Sequence, residues 1–144
     1  MVRADAARCH SERQIARVVI VQAHGCFTIL HIGHLHHLKA ARKLGDRLIV
    51  TLTAGAHIKK PVGKLFTDNQ RREMLESWPF IHEVRIIDAP GADEAIRMIR
   101  PHIYVKGAEY KGRLPEQKLV ESLGGRVVFT GGPVFSSTAL GKLL

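Results

Sequence analysis

Cysteine is scarce in this 144-residue chain, and the two present, Cys9 and Cys26, cannot make a disulfide framework. A bridge between an N-terminal arm and a tight loop would be unusual, so a reducing, cytoplasmic setting is expected. Long apolar runs are also missing. The longest, residues 18–23 and 48–56, fall well short of the roughly 18 residues that span a bilayer, and no membrane segment is expected. Residues 1–17 carry Arg3, Arg8, Arg13 and Arg17 against Asp5 and Glu12 with no apolar stretch, so they read as an arm and not as a secretory signal. Aromatic residues are few, with one Trp, two Tyr and five Phe. That is thin material for stacking on bases, and it weighs against a nucleic-acid binder. Repeats and low-complexity segments are absent.

What is present is enough apolar material, 45% of residues, to build one core. A chain of this length has room for one domain, expected over residues 18–144. Basic residues outnumber acidic ones by 22 to 13, a net charge of +9 that favours an anionic partner. Much of the excess lies between Arg42 and Arg72, where Lys43, Arg47, Lys59, Lys60, Lys64 and Arg71 also stand against only Asp46 and Asp68. A solvated basic face and an anion site are both open readings of that stretch.

From residue 17 onward short β-branched runs alternate with helical spacing, which predicts an α/β fold with a parallel sheet. The runs predict strands over residues 18–21, 48–52, 84–87, 103–105 and 127–129. A helix over 33–44 follows from the spacing of Leu35, Leu38, Ala41 and Leu44, with Gly45 as its stop. Thr67 and Gln70 form a capping box that opens a second helix ending before Pro79. Asp93 and Glu94 open a third that stops before Pro101, a fourth covers 115–123 before Gly124-Gly125, and a short fifth follows Ser136. The result is a Rossmann-like, doubly wound five-stranded sheet in a single domain. In such sheets ligands bind beyond the carboxyl ends of the strands. The segments just there, 24–34, 53–64, 88–93, 106–112 and 130–138, hold the densest Gly, His, Lys and Ser/Thr groupings.

The sharpest of them is Gly25-Cys26-Phe27-Thr28-Ile29-Leu30-His31-Ile32-Gly33-His34. Gly25 and Gly33 allow close backbone approach, and the helix start offers free N–H groups to a phosphate. His31 and His34, three apart, can point the same way and suit nucleotidyl transfer, in which positioned donors meet charge developing on phosphate oxygens. Two other readings remain open: ordinary surface or core histidines, and a metal site made from His31, His34, His36 and His37. The latter lacks a nearby Cys, Asp or Glu to complete a tetrahedral set, and no metal ligand is assigned.

The strand followed by Gly25-Cys26-Phe27-Thr28 and then His31-Ile32-Gly33-His34 resembles the nucleotidyltransferase superfamily with the HxGH motif, which also includes class I aminoacyl-tRNA synthetases. The resemblance runs from about Val18 to Leu144, through Lys59-Lys60, Asn69-Gln70-Arg71, Lys106-Gly107-Ala108-Glu109-Tyr110 and Ser136-Ser137-Thr138. Within that superfamily the Lys-Gly-x-acid-Tyr stretch looks most like the domain that adenylylates heptose 1-phosphate, and less like the glycerol-3-phosphate and ethanolamine-phosphate cytidylyltransferases.

The resemblance implies transfer of AMP from ATP to a sugar 1-phosphate, with release of pyrophosphate and with Mg²⁺ as cofactor. His31, His34 and Lys59 would be catalytic. Gly25, Cys26, Phe27, Gly33, Lys60, Lys106, Gly107, Glu109, Ser136, Ser137 and Thr138 would hold the nucleotide, and Thr28 and Arg71 would meet the acceptor. The family Asp is replaced by Thr28, which motivates a catalytically weak nucleotide-binding protein as one alternative. A CTP-dependent enzyme acting on a polyol or amino-alcohol phosphate is another. The partners implied are ATP or CTP and a phosphorylated small molecule, with no nucleic acid or membrane. A homodimer is compatible with the resemblance.

Overall fold

The computed structural model describes residues 17–131. The predicted fifth helix, most of the N-terminal arm and Ser136, Ser137 and Thr138 lie outside them. Five strands form one parallel sheet: β1 Ile20–Gly25, β2 Arg47–Thr53, β3 Glu83–Ile87, β4 Ile103–Gly107 and β5 Arg126–Thr130, in the order β3-β2-β1-β4-β5. The helices are α1 Ile32–Arg42, α2 Asp68–Glu76, α3 Asp93–Ile99 and α4 Gln117–Ser122, with short 3₁₀ turns at Gly55–His57, Pro61–Lys64 and Ala108–Tyr110. This is the Rossmann-like, doubly wound arrangement expected from the alternating pattern.

Successive residues of a strand face opposite sides of the sheet, so two cores form. Ile103 and Val105 face the larger core with Val21, Leu48 and Val50, covered by Leu38 and Ala41 of α1 and Leu75 of α2. Tyr104 faces the smaller one with Ile96 of α3 and Val120 of α4. Full burial on both faces explains why β2 reads as an almost unbroken apolar run.

The elements differ from their expected bounds in physically simple ways. β1 begins two residues later than predicted and continues to Gly25. Val18 is exposed, whereas Gln22 and His24, which end the apolar run in sequence, are buried. Thr51 of the neighbouring strand makes that possible: its hydroxyl accepts from Gln22 Nε2 at 3.0 Å and lies 2.8 Å from His24 Nδ1. The capping box at α2 is present, with Thr67 Oγ1 accepting from Gln70 N at 3.1 Å and Gln70 Oε1 accepting from Thr67 N at 2.9 Å. α3 ends where Arg100 turns left-handed at φ 51°, before Pro101, and Gly124 supplies φ 91° after α4.

The chain order reverses between β1 and β4, which makes their carboxyl ends the switch point of the sheet. A cavity of about 660 Å³ opens there.

Candidate active site

The cavity is built by the loops that leave β1, β2, β4 and β5. From β1 and α1 come Gly25, Cys26, Phe27, Thr28, His31, Gly33, His34 and His37; from β2 come His57, Lys59 and Lys60; from β4 come Lys106, Gly107, Glu109 and Tyr110. Of the residues assigned to the site from sequence, all those described line this cavity except Arg71.

His31 is the N-cap of α1, an uncommon choice beside Ser, Thr, Asp or Asn. Its Nδ1 accepts from Gly33 N at 3.1 Å, and His34 Nδ1 accepts from His31 N at 3.3 Å. The two rings stack with centroids 3.8 Å apart. A backbone N–H can only donate, so both Nδ1 atoms carry lone pairs and both neutral rings hold their proton on Nε2. Burial pushes the His34 pKa down to about 3, with His31 and His37 adding to the effect, and burial lowers that of His31 as well. At neutral pH the pair is therefore uncharged, with the proton of each ring on Nε2.

The loop before the pair is held in a costly shape. Phe27 adopts φ 48°, a left-handed conformation that side chains rarely take. Its ring sits edge-on to His34 at 5.1 Å and is buried. A Cβ on Gly25 would come within 3.2 Å of that ring. Gly25 thus makes room for Phe27, and Phe27 braces His34. Thr28 is buried against the same cavity.

Arg71, expected to meet the acceptor, is turned into the fold and does not line the cavity. Its side chain is fully buried, with Nη1 donating to the carbonyls of Cys26 at 2.7 Å and Thr53 at 2.9 Å, and Nη2 pairing with Asp68 Oδ1 at 2.6 Å. Asp68 also accepts from Gly55 N at 2.8 Å. The guanidinium therefore ties the loop after β1 to the end of β2 through Nη1 and Nη2, while Nε is buried without a hydrogen-bond partner.

Lys106 bridges the switch point. Its ammonium donates to the His24 carbonyl at 2.9 Å and lies 5.0 Å from the Tyr110 ring centroid. Burial lowers its pKa, while Glu116, Cys26 and Glu109 oppose the shift. It in turn helps burial hold the pKa values of His24 and His37 down at about 4. His37, whose Nδ1 lies 2.6 Å from Thr130 Oγ1, extends the three-residue spacing of His31 and His34 along α1. That spacing was the available sign of its place in the wall. His57 was not legible, because its partner Asp88 is 31 residues away in sequence, at 2.8 Å. Among the described residues no group of three His, Cys, Asp or Glu side chains is placed to hold a metal, and the Nδ1 atoms of His31, His34 and His37 are engaged as given above.

No helix among the described residues is long and apolar enough to cross a membrane. Residues 23–131 match the family model described as cytidylyltransferase-like. The chain is 38% identical over 120 residues to the bifunctional protein HldE of Syntrophotalea carbinolica, covering 81% of this chain and 24% of that protein. It is 41% identical over 98 residues to the HldE of Campylobacter jejuni subsp. doylei, covering 66% of this chain and 21% of that one. It therefore spans about a quarter of the length of these relatives. A lipopolysaccharide core biosynthesis protein from Thermoplasma volcanium superposes with a TM-score of 0.65 at 26% identity, covering 83% of this chain and 100% of that one. The pantoate-β-alanine ligase of Francisella tularensis superposes equally well, at 0.65, but at 14% identity, covering 94% of this chain and 70% of that one, so it shares the fold alone. A sheet with its switch point at a histidine-capped helix, matched by that model over most of its length, places the chain in the cytidylyltransferase-like family of nucleotidyltransferases.

Proposed function

We propose that the cavity transfers AMP from ATP to a sugar 1-phosphate and releases pyrophosphate. The observation that carries this reading is the reciprocal histidine cap, which fixes two neutral rings side by side with their protons on Nε2. In-line attack of the acceptor phosphate on the α-phosphorus needs no covalent intermediate, so catalysis comes from positioned donors that meet charge on the non-bridging oxygens. His31 and His34 act as those donors. Lys59 and Lys60, on the loop after β2, neutralise the leaving pyrophosphate, and the Lys106 to Tyr110 wall after β4 holds the base. Adenine as the base is supported by the likeness of the Lys106-Gly107-Ala108-Glu109-Tyr110 stretch to the adenylylating domain and by the HldE relatives.

Mg²⁺ suits this lining as a companion of the triphosphate. Glu109 is the sole carboxylate among the described cavity residues, and Mg²⁺ is commonly held by one or two carboxylates together with substrate phosphates. When bound it shields phosphate charge, and Glu109 is the residue to share it.

Nucleotide choice is tested by melting. ATP at about 100 times its dissociation constant stabilises the fold by roughly 2.7 kcal/mol, or about 5 to 10 °C, and CTP at the same concentration does less. Equal shifts contradict the adenylyl assignment. Tight oligonucleotide binding with no nucleotide response replaces it with a nucleic-acid role.

A further inference from the structure

The β2–β3 side of the cavity carries a histidine that the transfer chemistry above does not use. His57 closes the 3₁₀ turn Gly55–His57 after β2, and Asp88 is the first residue beyond β3; the adjoining strand ends are in register, with Thr53 opposite Ile87. His57 lines the cavity, while Asp88 lies outside it and is exposed. Its Nε2 lies 2.8 Å from Asp88 Oδ1. Since a carboxylate only accepts, Nε2 carries a proton, which leaves Nδ1 as the lone-pair nitrogen of the uncharged tautomer. His31 and His34 are the reverse case: their Nδ1 lone pairs are spent on backbone N–H groups, so the ring nitrogen left to them is a donor.

We infer that His57, oriented by Asp88, is the acceptor-specificity residue of the site, its Nδ1 taking a hydrogen bond from a hydroxyl of the phosphorylated acceptor. The inference rests on the proposed function, in which the β4 wall holds the base and the histidine pair the transfer, and it places the acceptor's hydroxyls where His57 of the loop after β2 meets Asp88. It deepens that reading by naming the residue that reads the acceptor's hydroxyls. Such a contact discriminates strongly, because an analogue without the hydroxyl leaves the site's polar group unpaired.

The test is calorimetric titration of wild type, His57→Phe and Asp88→Asn with mannose 1-phosphate and with ethyl phosphate, which has no hydroxyl. ATP is titrated separately. Wild type should bind mannose 1-phosphate about tenfold more tightly than ethyl phosphate. His57→Phe should erase that preference by weakening mannose 1-phosphate alone, and Asp88→Asn should reduce it in the same direction. Equal affinity of wild type and His57→Phe for mannose 1-phosphate, or no binding of it to wild type, overturns the assignment. So does an equal loss for both phosphates, which would make His57 a phosphate ligand. Failure of ATP to bind sinks the adenylyl reading instead, and the sugar-phosphate titrations, which need no turnover, still decide His57.

Discussion

Replacing either His31 or His34 with Ala should lower turnover about a hundredfold or more while changing ATP affinity much less, because each ring acts chiefly as charge develops in the transition state. The cap complicates that experiment. His31→Ala also removes the acceptor for Gly33 N and should cost about 0.5 to 2 kcal/mol of stability. His31→Asn separates the two effects, since Asn is among the best N-caps: stability should stay near wild type while turnover falls as far as in His31→Ala. Wild-type turnover in His34→Ala, or turnover that recovers with the cap in His31→Asn, would make the pair a structural device and not a catalytic one. Initial rates and melting curves on the same preparations read both quantities.

The largest stability effect should come from Arg71→Met. Two carbonyls, those of Cys26 and Thr53, would lose their donor, and the Asp68 carboxylate would lose its partner. The cost should be roughly 3 to 5 kcal/mol, about 8 to 15 °C in melting temperature for a domain of this size. Arg71→Lys should recover little, because one ammonium cannot reproduce a planar fork aimed at three acceptors. If Arg71 were a phosphate ligand, the melting temperature would hold and only the KM for a phosphorylated substrate would rise. Thermal denaturation without any ligand therefore separates the two roles.

Arg71 also shows where sequence reasoning stops. Its neighbours Thr67 and Gln70 spell out a helix start from a local pattern, and the capping box is there. Whether the next side chain points to solvent or core depends on Cys26, 45 residues away, and no local spacing carries that. The same division runs through the site. Gly25 to His34 was legible because strand, turn and helix start are contiguous, so the position of the pair at the head of α1 followed from spacing. The wall from β4 was legible from the rule that ligands sit beyond strand ends. His24 was placed after β1 because polar residues end an apolar run, yet Thr51 on the adjacent strand satisfies its ring and keeps it inside. His57 and Asp88 needed the parallel pairing of β2 with β3 before they could be seen as neighbours.

Thr28 makes pyrophosphate release the most direct test of the central claim. It is buried at the edge of the cavity, where the sequence resemblance expects Asp, and its hydroxyl brings no negative charge. If the histidine pair and the lysines suffice, wild type incubated with ATP, Mg²⁺ and heptose 1-phosphate should release pyrophosphate only when nucleotide and acceptor are both present. Thr28→Asp should not be required for that release, and CTP should support less of it. No release from wild type with a panel of sugar and polyol phosphates, alongside clear release from Thr28→Asp under the same conditions, would contradict the account and leave the native chain a nucleotide-binding protein.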